Sequence, residues 1–170
     1  MAAELVVLER GVPLGFTLRD LMSYHGPGSP GGVAHGYKVM ERALPLLEPA
    51  GPPERREIEV ATAFGGPGAR DAFELVTRAV TGDRYVVDAG LALPERGWTR
   101  ERFVFRLGYH GVTVTLGVRE GFVTEEFLTL ARTEQPSAEQ TARLDVLKRE
   151  MAERVMASPA SEVYEPLASG

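Results

Sequence analysis

The chain changes its hydrophobic period several times, and the changes fall at clusters of glycine and proline. Apolar and polar residues alternate from Glu57 to Phe64, which is typical of a strand with one buried face. The segment Gly65-Gly66-Pro67-Gly68 ends that pattern, and helical spacing follows from Ala69 to Val80. Another apolar run begins at Tyr85. This order of strand, loop, helix and strand predicts a fold that mixes helices with a sheet.

The N-terminal region carries two predicted helices. Thr17 and Asp20 form a variant of the capping box, which predicts a short helix that leads into a glycine loop. A second helix is predicted from about Val33, and Pro45 is expected to kink it or end it before Glu48. The preceding residues 4–14 lack a clean period, and we interpret them as a strand or an ordered arm.

The C-terminal half contains one predicted pair of strands and two predicted helices. Two alternating runs, 103–107 and 112–116, predict an antiparallel pair joined by a hairpin connection. A helix is predicted over 124–132, and a capping box at Ser137 begins a longer helix that reaches about Ala157.

The size and composition of the chain suit one domain. Its 170 residues are 44% hydrophobic, which is enough to bury a full core. We predict a single α+β domain over residues 1–157, in which helices back an antiparallel or mixed sheet and the C-terminal helices follow. Residues 158–170, rich in alanine, serine and proline, are expected to form a flexible tail.

Charge and cysteine content exclude several classes of protein. The net charge is −5 and no run of lysine or arginine exists, so nucleic acid is not an expected partner. Charged residues interrupt the first twenty positions, so we predict neither a signal peptide nor a membrane span and expect a cytoplasmic protein. The absence of cysteine excludes disulfides and thiolate metal sites.

The segment from Ser23 to Lys38 is the strongest candidate for a site. It contains two of the three histidines, His25 and His35, in a loop rich in glycine and proline that runs into the second helix. Such a loop brings backbone close to whatever it surrounds. Lys38 follows the loop by about a turn of helix and is suited to aim a cation at an anion held by loop amides. The Gly65-Gly66-Pro67-Gly68 loop leads into another helix N-terminus and has the ingredients of an anion cradle.

Two blocks of sequence resemble a known family. Tyr24-His25-Gly26-Pro27-Gly28-Ser29-Pro30-Gly31, followed by Gly36-Tyr37-Lys38, resembles a motif of the formylmethanofuran dehydrogenase E-subunit family. That motif reads aromatic-His-Gly-His-x-Cys-Pro-Gly, with Gly-Tyr-Arg a few residues into a helix. A second block, Pro67-Gly68-Ala69-Arg70-Asp71-Ala72, is similar to the family pattern Gly-Cys-x-x-Asp-Ala. The resemblance covers roughly residues 16–116 and implies a mixed α+β fold with a helix-backed sheet.

The departures from the family pattern fall on its metal ligands. His25 keeps the first histidine, but Pro27 stands where the family has the second, and Ser29 and Gly68 stand where it has cysteines. A proline offers no side-chain lone pair to a metal such as zinc, so we expect the family's metal site to be degenerate. His25, His35 and Asp71 could together form a replacement site, because two imidazoles and a carboxylate are able to bind a divalent metal.

Three functions are consistent with the sequence. The first is a protein that binds a small anionic or cofactor-like molecule between its two glycine loops. The second is an enzyme in which His25 acts as a general acid or base, or in which His25 and His35 hold a metal. The third is an accessory subunit of a redox complex. The predicted ligand-binding residues are Tyr24, Ser29, Tyr37, Lys38, Gly68, Arg70 and Asp71.

Each of these functional assignments competes with a structural explanation. His25 can cap the end of the first helix, Lys38 can be a solvated side chain, and Asp71 can complement a helix dipole. His110, in the hairpin connection, is expected to be exposed to solvent. The apolar stripe from Leu144 to Val155 on the last helix is either core or a dimer surface, and we expect a homodimer.

Overall fold

The computed structural model describes residues 3–168. This part of the chain forms an α+β fold with two sheets, one antiparallel and one mixed. Its strands and α-helices are, in chain order, β1 (Glu4–Glu9), β2 (Val12–Thr17), α1 (Leu18–His25), α2 (Pro30–Leu47), β3 (Glu59–Thr62), α3 (Pro67–Thr77), β4 (Tyr85–Val87), β5 (Val104–Tyr109), β6 (Val112–Val118), α4 (Glu125–Ala131), α5 (Ala138–Met156), α6 (Ala160–Val163) and β7 (Tyr164–Pro166).

The larger sheet has the strand order β4-β3-β5-β6-β7. β3 and β4 are parallel, because α3 connects them, and the other pairs are antiparallel. The β5–β6 hairpin turns at His110 and Gly111, which both have a positive φ (47° and 81°), as a two-residue hairpin loop requires. His110 is exposed, as the sequence predicts.

The smaller sheet is a hairpin of β1 and β2 at the N-terminus. The sequence predicts either a strand or an ordered arm here, and the structure has two paired strands. Arg10 and Gly11 form the turn with φ angles of 50° and 79°. Leu5 and Val7 of β1 are buried in the common core, so the hairpin is packed against the rest of the molecule.

α2 is the central helix of the fold. It packs against α3 on one side and α5 on another, and most of its residues are buried. The apolar stripe of α5 is part of this packing, since Leu147, Met151 and Val155 are buried. The stripe is therefore used within the chain. None of the helices formed by residues 3–168 is long and apolar enough to cross a bilayer.

The structure corrects one end of α2 and confirms the other. α2 begins at Pro30 rather than about Val33, because proline fits the first helical position, where no N–H is needed. It ends at Leu47, before Glu48 and the proline-rich loop, as the sequence predicts, and Pro45 lies in its last turn, where little helix remains to be disrupted.

The prediction of a flexible tail is wrong for most of its length. Within residues 158–168 the chain forms α6 and then β7, which pairs with β6 in the register Val118↔Tyr164. Tyr164 is completely buried and accounts for the ordering of this segment. The last two residues of the predicted tail, 169–170, lie outside the described residues.

Candidate functional site

The first turns of α2 and α3 are built from the same local sequence. α2 starts Ser29-Pro30-Gly31 and α3 starts Gly66-Pro67-Gly68, so each helix has proline at its first position and glycine at its second. Proline is suited to this position, and the glycine that follows leaves the backbone uncovered.

These two helix starts lie against each other. A Cβ atom on Gly68 would overlap the Ser29 carbonyl oxygen and lie 2.8 Å from the Val33 amide nitrogen. Further along the helices, a Cβ atom on Gly36 would lie 2.8 Å from the Ala72 Cβ atom. The glycines of both sequence motifs are therefore explained first by close packing of α2 on α3.

The same arrangement leaves backbone donors free. The first N–H groups of a helix have no partner within the helix. Neither Ser29 nor Gly66, the two N-cap residues, provides a side-chain hydrogen bond to them. The amides of Gly31, Gly32 and Gly68 consequently form a patch of positive potential where the two helices begin.

A cavity of about 380 Å³ opens at this place, and we call it the helix-end cavity. One wall consists of the small residues of the two helix starts, within 29–32 and 65–68. Three basic side chains also line it, and these are Arg102, Arg132 and Lys148. The remaining wall is apolar, with the side chains of Phe64, Trp98, Phe103, Phe127, Leu128, Ala131 and Leu144.

The basic side chains of the cavity are not neutralised by nearby carboxylates. Among residues 3–168, neither Arg102, Arg132 nor Lys148 forms an ion pair. The Lys148 ammonium group donates to the Gly28 carbonyl oxygen at 3.2 Å, which holds it beside the start of α2. The cavity is thus a locally cationic site in a chain with a net charge of −5.

His25 and Asp71, both predicted as site residues, are brought together by the structure. His25 Nδ1 lies 2.8 Å from Asp71 Oδ2, and because a carboxylate only accepts, Nδ1–H is the donor. The His25 side chain is only 8% exposed, and its Nε2 atom is buried without a hydrogen-bond partner in the described chain. Nε2 faces the loop above it, since a Cβ atom on Gly28 would lie 3.8 Å away. This pair has the composition of a histidine general base that a carboxylate orients.

The other predicted ligand-binding residues divide into two groups. Ser29 and Gly68 line the helix-end cavity. Lys38 does not, because its ammonium group is buried in an ion pair with Glu41 at 2.9 Å. Tyr37 is buried too, and its hydroxyl group donates to the Ala3 carbonyl oxygen at 3.1 Å.

The remaining two predicted ligand-binding residues, Tyr24 and Arg70, are exposed and do not line the cavity either. Arg70 extends into solvent beside Asp71, with 4.0 Å between its guanidinium group and the carboxylate. The structure thus places Tyr24 and Arg70 outside the helix-end cavity.

His35, the second predicted metal ligand, is fully buried in the core. Its Nδ1 atom lies 2.8 Å from the Tyr164 hydroxyl group, and its Nε2 atom lies 3.2 Å from Met151 Sδ. A thioether sulfur cannot donate, so Nε2 carries the proton and the Tyr164 hydroxyl donates to Nδ1. Burial, together with the charge of Arg154, lowers the pKa of His35 to about 3 and keeps the ring neutral.

The residues present do not fit a metal site. Both ring nitrogens of His35 have partners within the core, so it does not join His25 and Asp71 as a third ligand. More generally, no three His, Cys, Asp or Glu residues within 3–168 are grouped so that they could hold a metal ion. The structure therefore does not assemble the His25, His35 and Asp71 site that the sequence allows.

Sequence reasoning missed most of the side chains that shape the cavity. Lys148 reaches the glycine loop across 120 residues of sequence, and Trp98, Arg102 and Arg132 come from two further connections. Only weak signals marked them: Trp98 is the single tryptophan, and Lys148 is one of two lysines in a chain whose other basic residues are arginines.

Comparison with known proteins gives no further guide to the site. No family model matches the chain, and no curated protein matches it at a significant level.

Proposed function

We propose that the protein binds a small organic anion in the helix-end cavity. The observation that carries this proposal is the convergence, on one cavity, of two uncapped helix starts and three basic side chains that form no ion pair with the described residues. The anionic group lies against the amides of Gly31, Gly32 and Gly68, and the Lys148 ammonium group stands beside it. The apolar wall covers the organic part.

Two physical arguments support an anion rather than a neutral ligand. A helix start carries a partial positive charge, and here two of them point at the same space. Lys148 is also half-buried beside the start of α2, so its attraction for an anion there is less screened by solvent than that of the exposed Arg102 and Arg132. The volume of about 380 Å³ lies at the small end of the range for small-molecule sites.

Isothermal titration calorimetry with a panel of small anions tests this proposal. The panel consists of benzoate, cyclohexanecarboxylate, succinate and inorganic phosphate. We expect saturable binding of at least one carboxylate, weakened about fivefold or more by Lys148→Gln. Arg149→Gln removes the same charge from the neighbouring, exposed position of α5 and should leave binding unchanged. Absence of binding by every member of the panel would contradict the proposal, as would equal losses in both variants.

A second candidate function is acid–base catalysis by His25, and the His25–Asp71 pair favours it. Asn in place of His25 keeps a donor near the Nδ1 position but removes Nε2. If Nε2 transfers a proton, turnover of small anionic esters is present in the wild type and lost in His25→Asn. Equal turnover in the wild type and in His25→Asn would exclude this function.

We further propose that the chain is a cysteine-free relative of the formylmethanofuran dehydrogenase E-subunit family, cytoplasmic and homodimeric. Support for the relationship comes from the two matching blocks, which contact each other at Ser29 and Gly68 although they are far apart in sequence. Light scattering on the purified protein tests the homodimer, since a monomeric mass at micromolar concentration would contradict it.

A further inference from the structure

We infer that the organic part of the ligand is a flat aromatic ring, so that the helix-end cavity takes an aromatic acid. This inference rests on the proposed function and narrows it to one ligand class, aryl carboxylates and aryl phosphates. It is carried by the aromatic side chains of the cavity, and above all by Trp98.

Contacts with Arg132 and Glu125 hold the Trp98 side chain in place. The Arg132 guanidinium carbon lies 5.3 Å from the centre of its ring, and its indole N–H lies 3.4 Å from a Glu125 carboxylate oxygen. The side chain is nevertheless 39% exposed at the cavity. A large aromatic side chain that is held by a neighbour on one face and is still partly exposed presents a surface for another group.

The packing around Trp98 shows what kind of group its face accepts. Guanidinium is flat and delocalised, and Arg132 already lies over the indole ring. At the cavity wall, Phe64 and Phe103 stack on each other with their ring centres 4.4 Å apart and their planes at 25°, and since Phe103 is buried, the half-buried Phe64 supplies the exposed ring surface of the pair. Flat faces of this kind favour a planar ring over a puckered one of the same size, because a planar ring makes contact over its whole surface.

The size and charge of the cavity complete the assignment. About 380 Å³ has room for an aromatic ring that carries one acidic group. The acidic group belongs at the helix starts with Lys148, and the ring belongs at the aromatic wall with Trp98. An aromatic acid satisfies both parts of the cavity at once.

A matched pair of acids tests the inference. Benzoate and cyclohexanecarboxylate have the same charge and the same number of carbon atoms, but only benzoate is flat. We expect the wild type to bind benzoate about 3- to 10-fold more tightly, measured by calorimetry and by the fluorescence of Trp98, the single tryptophan. Trp98→Leu should remove this preference while retaining affinity for cyclohexanecarboxylate, and Trp98→Phe should restore most of it.

The outcomes separate this inference from the proposed function. Lys148→Gln should weaken both acids by the same factor, since it acts on the charge they share. If both acids bind equally and Trp98→Leu changes neither, the aromatic assignment is overturned while anion binding stands. If neither acid binds at all, both the inference and the proposed function fail.

Discussion

The first turn and the middle of α2 differ in how completely their polar groups are satisfied. In the middle, both nitrogens of His35 have partners and the Lys38 ammonium group is paired with Glu41. In the first turn, Gly31 and Gly32 line a cavity, and no capping side chain bonds to the amides there. The same stretch of sequence therefore contains a closed structural region and an open one. Satisfied polar groups hold the fold, and unsatisfied ones at a cavity indicate a place for a ligand.

The substitution with the largest expected effect on stability lies in the closed region. His35→Ala removes a fully buried ring and leaves the Tyr164 hydroxyl without its partner. We expect it to lower the free energy of unfolding by about 4 kcal/mol near neutral pH, from the cavity and the lost hydrogen bond together. Urea denaturation measures this, with His110→Ala as a control that removes an exposed ring and its 3.1 Å contact with Glu57 and should change stability by no more than about 1 kcal/mol. Equal stability of the two variants would show that His35 does not hold the core.

Gly68→Ala tests the contact that joins the two helix starts. The added methyl group would overlap the Ser29 carbonyl oxygen, so α2 and α3 must separate. We expect a loss of about 2 to 3 kcal/mol in urea denaturation, the range of overpacked cores, together with weaker anion binding. Gly51→Ala is the matched control, because a Cβ atom there meets nothing within 4 Å. A Gly68→Ala protein as stable as the Gly51→Ala protein would mean that the helix starts are not in close contact.

The pH dependence of stability tests whether His35 is buried in its neutral form. Burial lowers the pKa of His35 to about 3, below the value of 6.5 expected in the unfolded chain. The unfolded state then binds more protons between these values, so the contribution of neutral His35 is complete above pH 6.5 and declines as the pH falls towards 3. The stability difference between the wild type and His35→Ala should shrink by about 2 kcal/mol from about pH 8 to about pH 5. A difference that stays constant over this range would contradict the burial of a neutral His35.

The two lysines give the smallest effects and the clearest separation of roles. Lys38→Gln breaks an ion pair whose Glu41 partner is 31% exposed, and it should lower the free energy of unfolding by about 1 kcal/mol without changing affinity for benzoate. Lys148→Gln should do the reverse, with about fivefold weaker binding and unchanged stability. Both variants are measured by urea denaturation and calorimetry. Loss of benzoate affinity in Lys38→Gln would place the binding site elsewhere.

Local patterns in the sequence predict most of the elements and the α+β class. The capping boxes at Thr17 and Ser137 and the alternation in β5 and β6 are confirmed, because these signals depend on residues only a few positions apart. The pairing of β7 with β6 has no such local signal. It depends on Tyr164 reaching a core built by distant residues, and for that reason composition alone wrongly predicts a flexible C-terminal segment.

The sequence points to the two glycine loops that border the cavity, but not to most of the side chains that line it. The two glycine loops do border a cavity, as the first hypothesis requires. Sequence proximity favours Lys38 as the cation, whereas the structure brings Lys148 to the loop. The residues next to His25 and His35 in the sequence do not show that the two histidines have different environments. Their difference arises from Asp71, Met151 and Tyr164, which only the fold brings to them.

The most direct test of the account is a titration of the protein with benzoate followed by the backbone amide resonances of its glycines in ¹⁵N–¹H correlation spectra. If the uncapped helix starts hold the anion, the resonances of Gly31, Gly32 and Gly68 shift together and saturate with one affinity, while that of Gly51 stays in place. Saturable shifts confined to other parts of the chain, with those three amides unmoved, would contradict the claim that the two helix starts form the binding site.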